Sequence, residues 1–271
     1  HKVNSFKPDV ILVFKGMEIF PETLRKLKDK GILLSNYNPD NPFIFSGRGS
    51  GNNNITNSIG FYDVHFTYSK SILSELNSKY PKSSVYYLPF GFDVSDDLYN
   101  ECKKQPEIVK VCFLGNPDIY RADFIEKLCA LGIEIDVYGH NWQKYVNNKN
   151  CTVFEAVYEI ELWRTLSKYR VQLNIMRPHN LDSHNMRTFE IPAIGGIELA
   201  PDTHEHRLFF NVEKEIFLYQ NDKKCASKIF QLLEMSSNQA KEIRENARKR
   251  CISSKYGYYW RSKEIANCFE N

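Results

Sequence analysis

Short apolar runs alternate with amphipathic stretches along the chain, and that rhythm predicts its elements. Val10 to Phe14 is continuously apolar, as expected of a strand buried on both faces. Pro21 to Thr23 then opens a helix carrying Leu24 and Leu27, which Gly31 ends, and Ile32 to Ser35 is the next strand. A strand, a helix and a strand within about 25 residues indicate a parallel sheet. Tyr62 to Thr67 reads as a further strand, Ser69 caps a helix bearing Ile72, Leu73 and Leu76, and Val85 to Pro89 closes this half. The stretch from Asp96 to Glu107 is polar, contains Pro106, and is the expected domain boundary. Beyond it the same rhythm restarts. Val109 to Leu114 is a strand, Gly115-Asn116-Pro117 a tight turn, and a helix with Arg121 in its start carries Phe124, Ile125 and Leu128 up to Gly132. Ile133 to Tyr138, Val153 to Tyr158, Val171 to Met176, Ile197 to Ala200 and Glu215 to Tyr219 read as strands, with an amphipathic helix from Glu159 to Tyr169. The tail is helical. The expected fold class is therefore α/β, with two Rossmann-like domains over residues 1–100 and 107–255 and a closing helix over 256–271.

Two stretches draw the eye without fitting that scheme. Gly47 to Gly51 does not have the G-x-G-x-x-G spacing of a phosphate loop, and Asn52-Asn53-Asn54 follows instead of an apolar helix, so a flexible loop is expected. Tyr37 to Pro42 follows the second strand at the edge where open α/β sheets hold ligands, and it is equally readable as a turn made of turn residues.

Composition narrows the function classes. The chain has 271 residues and a net charge of +3, so bulk charge gives no case for nucleic acid. Its seven cysteines are scattered and lack C-x-x-C spacing, which fits reduced thiols in a cytoplasmic protein better than disulfides or zinc. No apolar run approaches the ~20 residues of a membrane span, although peripheral membrane contact stays open. His1-Lys2 reads as a cut or tag boundary, with no signal-peptide pattern.

The chemistry concentrates in His184 to Ala200. Arg187 and Glu190 are three apart and share a helix face, Phe189, Ala193 and Ile194 form a buried stripe, and Gly195-Gly196 stops the helix and opens the backbone. A guanidinium to neutralise phosphate, a carboxylate to accept hydroxyl hydrogens and free N–H groups would suit a sugar nucleotide. Taken alone, the Arg187–Glu190 pair reads as an ordinary surface ion pair; the restarted strand-helix-strand rhythm is what favours the donor-site reading.

The stretch resembles the donor-site motif of GT-B glycosyltransferases, a fold of two Rossmann-like domains with parallel sheets facing a cleft. It is most similar to the spore-maturation-protein-like group, on His184, Asn185, Arg187, Phe189, Glu190, Ala193, Gly195 and Gly196. The segment Leu88 to Asp93 looks like the last unit of a GT-B amino-terminal domain, and Tyr258 to Arg261 like the closing segment, whose last helix packs back toward the first domain. The first half is short for such a fold, so one or two upstream βα units are expected to be missing or never present. The resemblance implies transfer of a sugar from a nucleotide-sugar donor to a glycan, lipid-linked or protein acceptor, with no cofactor and no bound metal. It places Gly115, Arg121, Tyr138, Gly139, Val157, His184, Asn185, Gly195 and Gly196 around the donor. Arg187 would stabilise the leaving diphosphate and Glu190 would hold the ribose. Asp40 is the candidate base if the reaction inverts; if it retains, the leaving phosphate itself can take the acceptor proton. Retaining members carry two glutamates eight apart, whereas eight residues before Glu190 stands Asp182, which leaves the stereochemistry open. His179, Asp182 and His184 lack an obvious fourth ligand for a metal.

The rival readings are a degenerate GT-B module without catalysis, a nucleotide-sugar epimerase, and a nicotinamide oxidoreductase. The last lacks the glycine fingerprint and its acidic ribose partner.

Overall fold

A computed structural model of the protein describes residues 5–45 and 49–270. Gly47 and Arg48 of the glycine-rich loop, and His1-Lys2, lie outside the described residues. The chain divides into two compact units, His1–Pro89 with Pro178–Ser183, and Phe90–Arg177 with His184–Asn271.

The first unit is a parallel sheet of four strands in the order β1-β2-β3-β4: β1 Val10–Phe14, β2 Leu33–Asn38, β3 Val64–Thr67 and β4 Ser84–Tyr87. Helices α1 Pro21–Lys28, α2 Asn53–Ser58 and α3 Lys70–Lys79 intervene in sequence. Val13, Leu24, Leu34 and Tyr62 form the core cluster that joins α1 to the sheet. Two expectations are corrected here. β2 runs on through Asn38, so Tyr37 and Asn38 are strand and not turn. The asparagine run forms α2, because the Asn52 side chain accepts from the Ile55 N–H and caps it. The excursion Pro178–Ser183 belongs to this unit, and there the Tyr68 hydroxyl donates to Asn180.

The second unit begins with a helix where a linker was expected, α4 Asp96–Cys102. Ser95 Oγ accepts from Leu98 N, Asp96 and Asp97 complement the positive end of the helix, and Cys102 is buried. The polarity that suggested a linker is that of a capped, half-exposed helix. Six parallel strands follow: β5 Ile108–Leu114, β6 Ile135–Tyr138, β7 Cys151–Phe154, β8 Tyr169–Leu173, β9 Glu198–Pro201 and β10 Phe217–Tyr219. Between them run α5 Ile119–Ala130, α6 Glu159–Lys168, α7 Arg187–Ala193 and α8 His204–Phe209; α9 Asp222–Glu234, α10 Ser237–Ser253 and α11 Tyr258–Glu270 complete the unit. The strand order is β10-β9-β8-β5-β6-β7. Counted from β5 this is 3-2-1-4-5-6 read from the β7 edge, the doubly wound Rossmann arrangement. Val111, Ile125, Leu128, Ile135, Val137 and Val171 are fully buried at its centre, where each such side chain stabilises by about 1.5–3 kcal/mol. The closing helix α11 belongs to this unit, and Arg261 Nε donates to the Phe90 carbonyl at 3.3 Å.

Candidate functional site

A doubly wound sheet reverses its winding at one point, here between the neighbouring strands β5 and β8. In sheets of this kind the loops leaving the two carboxyl ends part at that point, and ligands bind in the crevice between them. Arg121, from the first turn of α5, spans this point. Its Nε and Nη2 donate to Ile175 O just beyond β8, at 3.1 and 2.9 Å, and its Nη1 donates to Asn116 O just beyond β5, at 3.1 Å. Burial, reinforced by Arg177 nearby, pulls its pKa down to about 10, so it stays cationic at neutral pH. Three of its five N–H donors are thus committed to the two loop ends.

Arg187 opens α7 at the same edge, with Nε 3.4 Å from Leu114 O, the last residue of β5. Its Nη1 pairs with a Glu190 carboxylate oxygen one turn along the helix. Arg187 keeps partial exposure, whereas Glu190 is buried with the rest of the helix. Phe189 is fully buried among His184, Phe209 and Tyr256, so the i,i+3 pair stands over an aromatic floor that fixes the helix. At the other end Gly195 N donates to Pro192 O and Gly196 N to Ile191 O, at 3.0 and 2.8 Å, a Schellman closure with Gly195 at φ +79°. The two glycines therefore terminate α7 about 10 Å from Arg187 along the helix axis. A Cβ on Gly196 would lie 2.6 Å from Ile191 and 2.8 Å from Gln172 Oε1. In the structure the pair terminates the helix, and Gly196 packs against Ile191 and Gln172.

Beneath α7 runs a buried polar network that the motif does not announce. Asn185 and Asn174 exchange amide hydrogen bonds of 2.7 and 3.1 Å, and Asn174 Nδ2 donates to Glu198 Oε1 at 2.7 Å. Glu198 is fully buried, its Oε2 has no hydrogen-bond partner, and burial drives its pKa up to about 8. Burial thus favours its protonated form. Thr188 Oγ1 meets His206 Nε2 at 2.9 Å, while His206 Nδ1 meets Thr203 Oγ1 at 2.8 Å; burial lowers the His206 pKa to about 3. His184 is buried too. Its Nε2 accepts from Phe90 N at 3.3 Å and its Nδ1 bonds Glu205 at 2.5 Å. Burial lowers its pKa against the pull of Glu205. His184 offers no free nitrogen to a ligand and acts as a brace behind the helix. The signal for this network was present as polar residues at alternate positions of apolar strands: Gln172 and Asn174, then Glu198.

The remaining expected residues lie around β6 and β7. Gly115 N donates to Tyr138 O at 2.9 Å, and Gly115 O accepts from Trp142 Nε1 at 2.8 Å. A Cβ on Gly139 would sit 2.4 Å from Gly115 O, so glycine is what lets the ends of β5 and β6 touch. Tyr138 stacks on Phe154 at 4.7 Å, and its hydroxyl is shared with Tyr169, which donates to Asp136. It faces this sheet network. Val157 is half-buried just before α6. Beside it, the exposed Tyr158 hydroxyl meets His140 Nε2 at 2.7 Å, a pair not singled out from sequence. The structure thus gathers Arg121, Arg187, Glu190, Asn185, Gly115 and Gly139 about the ends of β5, β6 and β8. Tyr138, the last residue of β6, stands at that edge as well, with its ring stacked on Phe154, whereas Val157, His184, Gly195 and Gly196 lie elsewhere in the unit.

Asp40 lies in the first unit. Lys15 Nζ donates to it at 2.6 Å and also to Gly49 O at 2.5 Å, and His179 Nε2 lies 3.1 Å from its other oxygen. Burial alone would raise its pKa, but His179 and Lys15 outweigh this and hold it below the usual carboxylate value. Among the described residues no group of three or more His, Cys, Asp or Glu could hold a metal ion, and no helix is long and apolar enough to cross a membrane.

The sheet order is that of a doubly wound α/β protein, and two arginines, Arg121 and Arg187, stand at its switch point. The glycosyl transferase-like family matches residues 121–267, more than half of the chain, and the chain belongs to that family. No protein of curated function matches it by sequence. Solved structures share the GT-B fold. TarM from S. aureus, in a variant solved with fondaparinux, alpha-GlcNAc-glycerol and UDP, aligns at TM-score 0.69 and 15% identity, over 93% of this chain and 54% of TarM. Sucrose-phosphate synthase from Thermosynechococcus elongatus aligns at 0.73 and 12%, over 99% of this chain and 75% of its own. HepE from Anabaena, in complex with UDP, aligns at 0.73 and 12%, over 98% and 80%. The chain spans about half the length of TarM.

Proposed function

We propose that this protein transfers a sugar from a nucleotide-sugar donor, a UDP-sugar being the first to test, to a glycan, lipid-linked or protein acceptor. The observation that carries the reading is Arg187, which stands at the switch point against the end of β5 with Glu190 beside it. A guanidinium there meets the developing charge on a leaving diphosphate, and it is held by Leu114 O and the buried face of its helix, so little reorganisation is needed. Glu190 holds one carboxylate oxygen on Arg187 and has a second for ribose hydroxyls. Arg121 acts as a positioning residue that ties the loops after β5 and β8. UDP is the nucleotide bound by TarM and by HepE, which is why it comes first. The cationic side chains supply the charge that a metal would otherwise provide, and transfer is proposed to be metal-independent, in a cytoplasmic enzyme of polysaccharide biosynthesis.

Asp40, the candidate base, is paired with both Lys15 and His179, which stabilise its charged form and weaken it as a proton acceptor. We therefore favour the route in which the leaving phosphate takes the acceptor proton.

Titration calorimetry with UDP-, GDP-, CMP- and dTDP-sugars, with and without EDTA, tests the reading. One nucleotide class should bind whether or not EDTA is present. Arg187→Ala should weaken it by roughly 10–150-fold, the worth of a charged hydrogen bond. Failure of every nucleotide to bind the folded protein would leave a module that kept the fold without the activity.

A further inference from the structure

The second unit has a cavity of about 410 Å³ at the opposite edge of its sheet from the crevice. Its wall includes Glu107 just before β5, Ser167 just before β8, Tyr99 of α4, and Ser237 at the start of α10. The volume falls within the ~300–1,000 Å³ of small-molecule sites.

We propose that this cavity binds a sugar phosphate, a phosphate monoester on a hydroxylated ring, as a second ligand of the chain. Charge selects an anion. Two carboxylates, Glu107 and Glu245, share the wall with three cations, Lys103, Lys241 and Arg244. Glu107 is shared by Arg170 at 2.5 Å and Arg244 at 2.7 Å, Lys103 is paired with Glu245 at 2.8 Å, and Lys241 adds a further charge. The 17-residue helix α10 begins at the wall with Ser237, so the positive end of its dipole adds to that potential. Two lining side chains each hold a buried atom without a hydrogen-bond partner, the donor Arg244 Nε and the acceptor Gln105 Oε1. Both atoms are closed off from the cavity, and the exposed ammonium groups of Lys103 and Lys241 are the donors a phosphate would meet. Tyr99 supplies the flat apolar wall a sugar ring needs, braced by the Arg248 guanidinium 4.7 Å from its centroid.

The cavity touches the crevice's machinery from behind. Gly195 and Ile194, which end α7, line it. Tyr99 lies so close to Gly195 that a Cβ there would come within 3.0 Å of its ring. A ligand settling on Tyr99 would stiffen the end of the helix whose first residue is Arg187.

Calorimetric titration of the full chain with glucose 6-phosphate, glucose and inorganic phosphate tests this. Glucose 6-phosphate should bind, and the other two should each be at least about tenfold weaker, since each has half of the recognised groups. Exposed Lys241 can be removed without harm to the core; Lys241→Ala should weaken glucose 6-phosphate about tenfold, one charge-assisted hydrogen bond. Arg187→Ala should leave that affinity unchanged, which separates this cavity from the crevice. Hydrogen exchange should slow at residues 194–196 when the ligand is present. No binding by the folded protein, an unchanged affinity in Lys241→Ala, loss of binding in Arg187→Ala, or inorganic phosphate binding as tightly as glucose 6-phosphate would each overturn the proposal. None of these arms requires sugar transfer, so the result stands apart from the fate of the proposed activity.

Discussion

Gly139→Ala places one methyl group where the ends of β5 and β6 meet. The new Cβ would lie 2.4 Å from Gly115 O, 3.0 Å from Gly115 C and 2.9 Å from Trp142 Nε1. Two of the three are backbone atoms, so no rotamer change relieves the contact; the strand ends must separate. Separation also stretches the 2.8 Å bond from the fully buried Trp142 indole to Gly115 O. Overpacking costs about 1–3 kcal/mol, and an orphaned buried N–H costs about 1–3 kcal/mol more. A total of roughly 2–6 kcal/mol lowers the thermal midpoint of a unit of this size by roughly 4–24 °C. Gly132→Ala is the control. Gly132 has φ +88° but nothing lies within 4 Å of an added Cβ, so it pays only left-handed strain, about 1–2 kcal/mol. Scanning calorimetry of both variants compares packing with strain. If Gly139→Ala melts at or above Gly132→Ala, the close approach of the two strand ends does not limit stability as argued. Nucleotide binding should weaken in Gly139→Ala beyond its loss of stability, because Gly115 is displaced at the crevice.

Asp40→Asn removes a carboxylate paired with Lys15 and His179. Transfer should fall by less than about tenfold, whereas loss of a general base costs about 10²–10⁴-fold; steady-state kcat decides between them. Glu198 has a folded-state pKa near 8, above the ordinary 4.5. Its contribution to stability is therefore full below pH 4.5 and is lost as pH rises toward 8, by up to about 1.4 kcal/mol per pH unit. Glu198→Gln should flatten that alkaline fall in thermal midpoint. His206, lowered to about 3 from 6.5, acts in the opposite sense, its contribution being lost as pH falls below 6.5. Arg121→Lys cannot reach both Ile175 O and Asn116 O with a single ammonium; a loss of roughly 1–3 kcal/mol in chemical denaturation is expected, together with weaker nucleotide binding.

Much of the fold was legible because the strands of parallel sheets are continuous apolar runs. β1, β5 and β10 fall within a few residues of where the pattern put them, but β1 is not buried on both faces: it is the edge strand of its sheet, with Val13 buried and Leu12 and Phe14 exposed. The polar stretch after Asp96 misled, since a linker and a capped surface helix have the same composition and differ only in whether Ser95 can reach Leu98 N. The crevice was half legible. Arg187 and Glu190 declare themselves by spacing, and α7 confirms that they share a face. Gly195-Gly196 was read as opening the backbone to a ligand, yet a helix stop with φ above zero demands glycine for its own reasons. Asn174, Thr188, Glu198 and His206 escaped notice because they come from four separate places, and only the folding of β8, α7, β9 and α8 brings them together.

The six residues 178–183 belong to the first unit although the chain on either side of them belongs to the second. His179 meets Asp40 there, and Asn180 meets Tyr68. The units are thus not modules in the sense of recombination. A chimera that replaces the first unit by a cut at Pro89 imports a foreign sheet but keeps a hexapeptide shaped for the old one. A workable graft must exchange both segments together, so homologous shuffling within such chains is constrained to double crossovers.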